Sequence, residues 1–446
     1  MIGSLDSTRR EATVVGAGVA GLLAAYALDK KGYRVTLLEA QSNAGGLIGT
    51  RRTEYGIAES AAHSLLASSP VVELCRELGV ELAEIRPEAR ARFVLRDGRL
   101  RKFPLNLTEA LRAAGRAAFA RAENHADSQT LETWGRTHVG DAALDYLLTP
   151  LVRGIYGAQP ADLGVAAAFP ELSVAPGQTL LGAMLGKAFK RPSQNGHDGS
   201  NANGHAARGG NNSKPAKERK RMVAPLLGMG ALTESLERSL EQSLGARFQR
   251  GVCVDEIPDA PNVILATPAR AAAELLQTQA PELSALLREI RYTPIVSVTV
   301  FVERSSFTRP VEGVGVLVPA REDRRCLGIL FNSSAFAGRV RDESRHASFT
   351  ILFGGTARPD FVNESDESVA EAVRVELEEL LGVRGEPLQL VINRWPCAIP
   401  QYSTALPAVW QAARETWCAA PGRIIFGNYA GQVSLRGMIE KTRAMA

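Results

Sequence analysis

Cysteine pairs and histidine clusters, which mark disulfide scaffolds and metal centres, are missing from this 446-residue chain. The five cysteines are scattered and never form a C-x-x-C pair, so they are expected to be ordinary thiols in a reducing compartment. The six histidines include no H-x-x-x-H or H-E-x-x-H spacing. The sequence therefore predicts neither a disulfide framework nor metal catalysis.

The chain also lacks an apolar run of the ~18 to 20 residues that are needed to cross a bilayer. Its uncharged N-terminal stretch, residues 12–28, follows Arg9 and Arg10, so a secretory signal is an alternative interpretation. That alternative leaves the regular spacing of the glycines in this stretch unexplained. We expect the protein to be made in the cytoplasm and to stay there.

Acidic residues are few between positions 86 and 121, a stretch that contains nine arginines and one lysine but only three carboxylates. Such a run is most often a solvated face. Attraction of an anionic substrate or of acidic lipid headgroups stays open. Nucleic acid is not expected as a partner, because no recognised binding motif or interleaved aromatic residues accompany the charge.

A strand, a glycine-rich turn, a helix and a second strand are predicted in succession near the N-terminus. The short apolar run at 13–15 predicts a buried strand, 19–28 a helix of small and aliphatic residues, and 34–38 the next strand. Between the first strand and the helix lies a G-x-G-x-x-G loop. In this context the loop indicates a site for an adenine dinucleotide.

The three glycines of the loop have separate roles in such a site. Gly16 permits the tight turn, Gly18 lets the backbone approach a pyrophosphate, and Gly21 lets the helix and strand pack closely. The phosphates are expected at the helix start, where free N–H groups and the helix dipole favour anions. The predicted contacts in this loop are Gly16, Ala17, Gly18, Val19, Ala20 and Gly21.

A carboxylate ends the second predicted strand. Glu39, followed by Ala40, stands at the distance expected for a group that accepts the adenosine ribose hydroxyls. A carboxylate there argues against a 2′-phosphate, so FAD or NAD is favoured over NADP. The second glycine pair, Gly45 and Gly46, completes the N-terminal motif.

Further elements divide the chain into several regions. Strands of a second sheet are predicted at 294–303, 313–319, 326–331 and 348–354. Helices are predicted within 107–151 and at 231–244 and 368–381. Short apolar strands at 262–267 and 423–426 are expected to return to the nucleotide-binding sheet. The Asn/Gly/Ser-rich stretch 192–216 predicts a flexible insertion.

From residue 13 to residue 439 the chain resembles the flavin amine oxidase superfamily, and within it the protoporphyrinogen oxidase family. The resemblance depends on GIYG at 154–157 running to Phe169-Pro170, on GVGVLVPAREDRRCLGILFNSSAF at 313–336, on RWPCAIPQY at 394–402 and on GNYAGQVSLRGMIE at 427–440. It implies FAD as cofactor, with Gly45, Gly46, Val254, Gly427, Val433 and Ser434 among its contacts. A helix start at Val433 and Ser434 would stabilise negative charge on reduced flavin.

The same resemblance implies oxidation of protoporphyrinogen IX to protoporphyrin IX by hydride transfer to flavin N5, with O2 as reoxidant. Arg92, beside Phe93, occupies the place of an arginine that binds a substrate propionate, a role for which the bidentate guanidinium is well suited. No catalytic side chain is assigned, because the flavin carries the chemistry. Three alternatives stay open. The chain could oxidise coproporphyrinogen, it could catalyse another reaction of the superfamily such as amine oxidation or polyene desaturation, or it could be a flavoprotein without turnover.

Three positions depart from the family pattern. Leu47 stands where a basic residue usually follows the glycine pair, Ala61-Ala62 replaces a Gly-Pro, and Thr404-Ala405 replaces a Gly-His. The segment between Val254 and the strand at 262 has fewer residues than a β-hairpin requires. These departures leave the FAD fold expected and put turnover in question.

The predicted fold class is α/β, with a discontinuous Rossmann-type FAD-binding domain, an inserted mixed β-sheet substrate domain and a helical lobe. The FAD-binding domain is expected to comprise 8–85, 222–275 and 415–446, and the substrate domain 86–105, 170–191 and 276–414. The helical lobe comprises 106–169, and 192–221 forms the insertion. A peripheral contact of the lobe with the inner face of the cell membrane and a homodimer are further expectations left open.

Overall fold

The computed structural model describes residues 1–122, 129–189, 221–431, 433–443 and 445. Apart from Arg221, the predicted insertion at 192–221 lies outside these residues. The strands, in chain order, are β1 (Glu11–Val15), β2 (Arg34–Glu39), β3 (Thr50–Arg52), β4 (Ile57–Glu59), β5 (Leu65–Leu66), β6 (Leu82–Glu84), β7 (Arg92–Arg96), β8 (Arg99–Arg101), β9 (Met222–Pro225), β10 (Phe248–Arg250), β11 (Asn262–Leu265), β12 (Tyr292–Glu303), β13 (Gly315–Leu317), β14 (Cys326–Leu330), β15 (His346–Gly354), β16 (Gln389–Pro400) and β17 (Arg423–Ile425).

The helices are α1 (Val19–Lys30), α2 (Ser69–Glu77), α3 (Leu107–Phe119), α4 (Leu131–His138), α5 (Asp141–Ala143), α6 (Thr149–Tyr156), α7 (Val165–Ala168), α8 (Leu180–Phe189), α9 (Gly230–Leu244), α10 (Ala269–Leu276), α11 (Pro281–Arg288), α12 (Asn332–Ala335), α13 (Asp366–Leu381), α14 (Leu406–Glu415) and α15 (Leu435–Arg443). Within the described ranges, none of these helices has both the length and the apolarity that a bilayer crossing requires.

A parallel sheet carries the glycine-rich turn. Its strand order is β10-β2-β1-β11-β17, so three distant stretches of chain supply it, and every pairing in it is parallel. Helices α1, α9 and α15 pack in the core on one side, and α10, α11 and α14 belong to the core on the other. This doubly covered parallel sheet confirms the predicted discontinuous Rossmann-type α/β fold.

A second, mixed sheet has the order β16-β12-β15-β14-β13-β7-β8. Its pairings are antiparallel except between β13 and β7. Helix α13 covers one face of this sheet and shares an aliphatic and phenylalanine core with it. The helix begins at Ser365, whose hydroxyl accepts the Ser368 amide, and ends at Gly382, which adopts a left-handed conformation with φ of 67°.

Helices α3 to α8 form the helical lobe, and α3 begins with a capping box between Asn106 and Glu109. Helix α8 contacts α3, and the Ala122 amide donates to the Gln178 carbonyl at 2.9 Å. Residues 170–189 therefore pack with the lobe, although the sequence placed 170–191 in the substrate domain. The reason for the difference is this backbone contact with Ala122, which no local sequence pattern indicates.

Candidate cofactor and substrate site

Each of the three glycines in the turn between β1 and α1 is required for a different steric reason. Gly16 has φ of 97°, and a Cβ on it would lie 2.9 Å from the Ala266 carbonyl oxygen. A Cβ on Gly21 would lie 1.7 Å from the Gly16 carbonyl oxygen, so the helix meets the turn with no room for a side chain. Gly18 has open space where its Cβ would be, with no atom within 4 Å. That open space is where a cofactor backbone can approach, as the dinucleotide motif requires.

The N-terminus of α1 is free to bind an anion. Gly18 is its N-cap residue, no side chain caps it, and its first turn contains no acidic residue. By contrast, Glu59 and Thr50 cap the start of α9, because they accept the amides of Met229 and Gly230. The first-turn amides of α1 therefore remain available for a pyrophosphate.

Glu39 lies at the end of β2 and faces the glycine loop. Its carboxylate accepts the Ala17 amide at 2.5 Å and the Gln41 amide at 2.8 Å. An ionised carboxylate offers about four acceptor sites, so these two bonds leave capacity for ribose hydroxyls. The Glu39 carbonyl accepts the Val252 amide at 2.9 Å, which holds the segment leading to half-buried Val254 against the same strand end. Ala40 is exposed beside it.

The second glycine pair lies directly on the first loop. The Gly45 amide donates to the Ala17 carbonyl at 2.8 Å. Gly45 and Gly46 both have positive φ, 99° and 62°, and a Cβ on Gly46 would lie 3.2 Å from the Gly18 Cα. The two glycine segments thus form one surface without side chains at the start of α1.

A buried ion pair fixes the β3–β4 hairpin near this surface. Arg339 donates to Glu59 at 3.0 Å, and both side chains are buried. Glu59 also accepts the Thr50 hydroxyl at 2.5 Å, and Arg339 donates to the Pro225 carbonyl at 2.7 Å. Burial raises the pKa of Glu59 and lowers the pKa of Arg339, because each charged form loses hydration. No local sequence pattern indicates Arg339, since 280 residues separate it from its partner.

The mixed sheet turns one face toward the hairpin that follows the glycine pair. Paired residues in a sheet share a face, and the register joins Arg92, Gly315, Leu330, Thr350 and Thr299 in one row across five strands. This row lies on the face opposite α13. Arg92 therefore lies at one end of this row, and the buried threonines Thr350 and Thr299 lie at the other end.

Arg92 has no acidic partner in the part of the chain that the structure describes, whereas two nearby arginines do. Arg86 pairs with Glu343 at 2.6 Å, and Arg96 pairs with Glu109 at 2.7 Å. Arg92 is exposed on the sheet face. Arg92 is consequently the cation of strand β7 that is available to bind a ligand.

Phe93 is not placed as the sequence suggested. Successive strand residues point to opposite faces, and Phe93 packs against the core beneath α13 while Arg92 lies on the other face. Its ring therefore lies on the wrong side of the sheet for a ligand bound by Arg92. The alternation of β7 explains this difference from the expected pair of contacts.

Apolar side chains line the same face as Arg92. Leu317, Leu330, Leu352 and Trp395 are half-buried there. Helix α6 of the lobe lies against them, since a Cβ on Gly154 would be 2.9 Å from the Leu317 side chain. The helix exposes Leu151 and Ile155 on the same side as Gly154. The sheet and the lobe thus form two largely apolar walls, and Arg92 adds a guanidinium on the sheet side.

The last segment of the parallel sheet leads to α15, close to the predicted position. The helix starts at Leu435, and the Ser434 hydroxyl accepts the Gly437 amide at 3.1 Å, so Ser434 caps its own helix. Val433 is half-buried against the core. Gly427 follows β17, and the Tyr402 hydroxyl donates to the Asn428 carbonyl at 2.5 Å. Tyr402 is buried in this core.

His63, in the loop after β4, is half-buried. Its Nε2 atom is buried and has no hydrogen-bond partner among the described residues. Burial, with a smaller contribution from nearby Arg339, lowers the pKa of His63 to about 4, so the ring is neutral near pH 7. No cluster of three His, Cys, Asp or Glu side chains suited to a metal ion occurs in the described ranges.

Comparisons with known proteins agree with this geometry. The model of the family described as flavin containing amine oxidoreductase matches residues 19–434. Protoporphyrinogen oxidase 2 of Arabidopsis thaliana is 26% identical, over 96% of this chain and 91% of that protein. Coproporphyrinogen III oxidase of Bacillus subtilis is 23% identical, over 99% and 98%. The structure of cyclohexylamine oxidase from Brevibacterium oxydans aligns with a TM-score of 0.66 at 15% identity, covering 97% of this chain and 99% of that one.

Proposed function

The chain belongs to the flavin-containing amine oxidoreductase family and has FAD as its cofactor, and from this premise we propose that it oxidises protoporphyrinogen IX to protoporphyrin IX with O2 as the final acceptor. Bound FAD would supply the redox chemistry, a two-electron oxidation of the substrate with O2 as the final acceptor. The protein supplies binding, orientation and exclusion of competing reactions.

One observation carries the proposal: half-buried apolar side chains lie on the same sheet face as Arg92, a cation without an acidic partner among the described residues. Leu317, Leu330 and Leu352 offer an apolar wall that suits a flat or puckered macrocycle. Arg92 offers two parallel N–H donors, which match a propionate. An amine substrate would gain nothing from a cation at this place, and a polyene has no carboxylate for it.

The cofactor segments fit FAD by their shape and hydrogen-bonding capacity. The free amides at the start of α1 suit the pyrophosphate, and the remaining acceptor sites of Glu39 suit the ribose. Leu47 leaves the glycine pair without the usual basic neighbour, so the pyrophosphate charge depends more on the helix start. We therefore expect FAD to bind without a neutralising side chain at position 47.

Anaerobic reduction of the bound flavin tests this function directly. The purified protein is expected to be yellow, to lose its flavin absorbance on mixing with protoporphyrinogen IX, and to release fluorescent porphyrin when O2 is admitted. Arg92→Met is expected to raise KM roughly 10- to 150-fold, which corresponds to the loss of a charge-assisted pair of ~1.5 to 3 kcal/mol. Arg99→Met, on the exposed β8 strand, is the matched control.

Two results would remove the proposal. A yellow protein whose flavin is reduced by neither protoporphyrinogen nor coproporphyrinogen would identify a flavoprotein without porphyrinogen turnover. Reduction by primary amines would favour the amine oxidases of the same family instead. Faster reduction by coproporphyrinogen, which has four propionates rather than two, would assign the chain to the reaction named for its Bacillus subtilis relative.

We also propose that the lobe docks on an anionic membrane surface. Helix α3 has no buried residue, and its Leu107, Leu111 and Phe119 are 76%, 63% and 83% exposed. Exposed Arg112 and Arg116 flank this stripe, so the helix combines an outward apolar side with positive charge. Exposed large apolar residues of this kind mark interaction surfaces when they are contiguous.

Flotation with liposomes tests the docking surface. The wild-type protein is expected to float with vesicles that contain phosphatidylserine, and Leu111→Asp is expected to abolish flotation without changing flavin content. Val72→Asp, which places the same charge at an exposed apolar position on α2, is the control. Equal flotation of both variants and the wild type would exclude α3 as the contact.

A further inference from the structure

Ser60 connects the substrate-facing sheet to the cofactor segments. Its carbonyl accepts the Trp395 indole N–H at 2.7 Å. Its amide donates to the Gly49 carbonyl at 2.9 Å, and its hydroxyl donates to the Leu47 carbonyl at 2.6 Å. All three polar groups of Ser60 are therefore used, and two of them hold the segment that follows the glycine pair.

The connection continues to the glycine loop itself. Gly45, two residues before Leu47, donates its amide to the Ala17 carbonyl at 2.8 Å. Ala17 in turn donates to Glu39. An unbroken series of hydrogen bonds and short backbone links thus runs from the second sheet to the carboxylate expected to hold the ribose.

Trp395 forms the sheet end of this series. It lies on β16 opposite Ile295 of β12, and its half-buried ring packs with Ile295, Leu327 and Ala398. Because the ring is held by a packed sheet, its N–H has a fixed position. The neighbouring link, Asn393 to the Glu59 carbonyl, is longer at 3.4 Å.

We propose that Trp395 is a positioning residue, which sets the distance between the cofactor segment at 45–49 and the sheet face that carries Arg92. Its indole N–H fixes the Ser60 carbonyl, and Ser60 fixes the Leu47 and Gly49 carbonyls. A displacement of about 1 Å between reacting groups can lower a rate by up to ~100-fold. The kinetic consequence rests on the proposed function, whereas the structural consequence does not.

The chain contains a matched control for the loss of an indole N–H. Trp417 is buried, and its Nε1 atom has no hydrogen-bond partner among the described residues. Trp417→Phe thus removes the same group without breaking a hydrogen bond. Trp395→Phe keeps the aromatic ring in its apolar cluster and removes only the N–H and part of the ring system.

Hydrogen exchange of the apo-protein is the readout that needs neither flavin nor substrate. Trp395→Phe is expected to raise the exchange rate of the peptide covering residues 47–60 about tenfold, because the Ser60 carbonyl loses the indole N–H that fixes it and the bond from the Ser60 amide to the Gly49 carbonyl is then less constrained. Trp417→Phe is expected to leave that peptide unchanged. In the FAD-loaded protein, Trp395→Phe is expected to lower the rate constant of anaerobic flavin reduction about tenfold, with KM changed less than twofold.

A second variant keeps the inference testable if Trp395→Phe folds poorly. Ser60→Ala breaks the next link, the bond from the hydroxyl to Leu47, and leaves the ring of Trp395 intact. Because the two links act in series, the double variant is expected to be no slower than the slower single variant. Independent, multiplicative effects of the two changes would overturn the proposal.

Unchanged exchange of residues 47–60 in Trp395→Phe, or an equal increase in Trp417→Phe, would also overturn it. A wild-type protein that no porphyrinogen reduces would refute the proposed function while the exchange experiment still decides the role of Trp395. The two failures are therefore distinguishable.

Discussion

Gly18 and Gly21 stand three residues apart in one turn, and alanine at each position is expected to fail in a different way. An alanine Cβ at 21 would be 1.7 Å from the Gly16 carbonyl oxygen, so α1 or the turn has to move by more than 1 Å. Overpacking of this kind costs about 1 to 3 kcal/mol or more. We expect Gly21→Ala to lower the free energy of unfolding of the apo-protein by at least about 3 kcal/mol.

Gly18→Ala should leave the apo-protein almost intact. Gly18 has φ of −64° and ψ of 174°, which alanine adopts readily, and its Cβ would meet no atom within 4 Å. The N-cap substitution costs at most about 1 kcal/mol. The new methyl group fills the space that the pyrophosphate needs, and a clash of about 1 to 3 kcal/mol corresponds to a roughly 5- to 150-fold weaker FAD affinity.

Urea unfolding of the apo-proteins and titration of FAD by fluorescence quenching measure the two effects separately. Gly115→Ala is the control, because Gly115 lies within helix α3 in open space; this change is expected to stabilise by about 0.5 to 1 kcal/mol and leave FAD affinity unchanged. Equal destabilisation by Gly18→Ala and Gly21→Ala, or undiminished FAD binding by Gly18→Ala, would refute this explanation of the turn.

Three further changes test the surrounding structure. Arg339→Leu leaves Glu59 as an unpaired buried carboxylate and is expected to lower the free energy of unfolding by about 3 to 5 kcal/mol in urea; a loss below 1 kcal/mol would contradict the role given to the pair. The folded-state pKa of His63 lies near 4, below its unfolded value, so its contribution to stability is complete above about pH 6.5 and is lost as the pH falls toward 4. Unfolding measured from pH 7 to pH 4 should therefore show a smaller loss in His63→Asn. Ellman's reagent should titrate two thiols of the native protein rapidly, Cys253 and Cys397, and five after unfolding; a third fast thiol would contradict the burial of the others.

Local rules predicted the cofactor turn well because each requirement lies within a few residues. The spacing of Gly16, Gly18 and Gly21 fixed the strand, the turn and the helix, and α1 begins at Val19 as expected. The start of α15 was predicted to within two residues for the same reason. Strand lengths were less accurate: the strand predicted at 313–319 is only Gly315–Leu317, since its pairing depends on β7 and β14.

The parts that were missed depend on distant partners. Its place beside Arg92 predicts Phe93 as a substrate contact, and only the orientation of β7 in the sheet shows that it faces α13. The hydrogen bond of Trp395 has no signal in the sequence, because its acceptor, the carbonyl of Ser60, has no side-chain signature and lies 335 residues away. Arg339 is the third such case. Side-chain pattern predicts which face is buried, but it does not predict which carbonyl a buried donor will meet.

The strand order β10-β2-β1-β11-β17 also determines when this protein can fold during synthesis. Strand β1 has a neighbour on one side once β2 has been made, but its other neighbour, β11, begins at Asn262, and the sheet edge is completed only at Ile425. At about 5 to 20 residues per second, roughly 20 to 80 seconds separate the synthesis of β2 from that of β17. Until β11 has been made, about 11 to 45 seconds after β2 at the same rate, one edge of β1 is an unpaired template for other chains. The first and last strands of the cofactor domain are far apart in the chain. The protein should therefore be expressed at low temperature with chaperones, and truncations before β17 should be avoided.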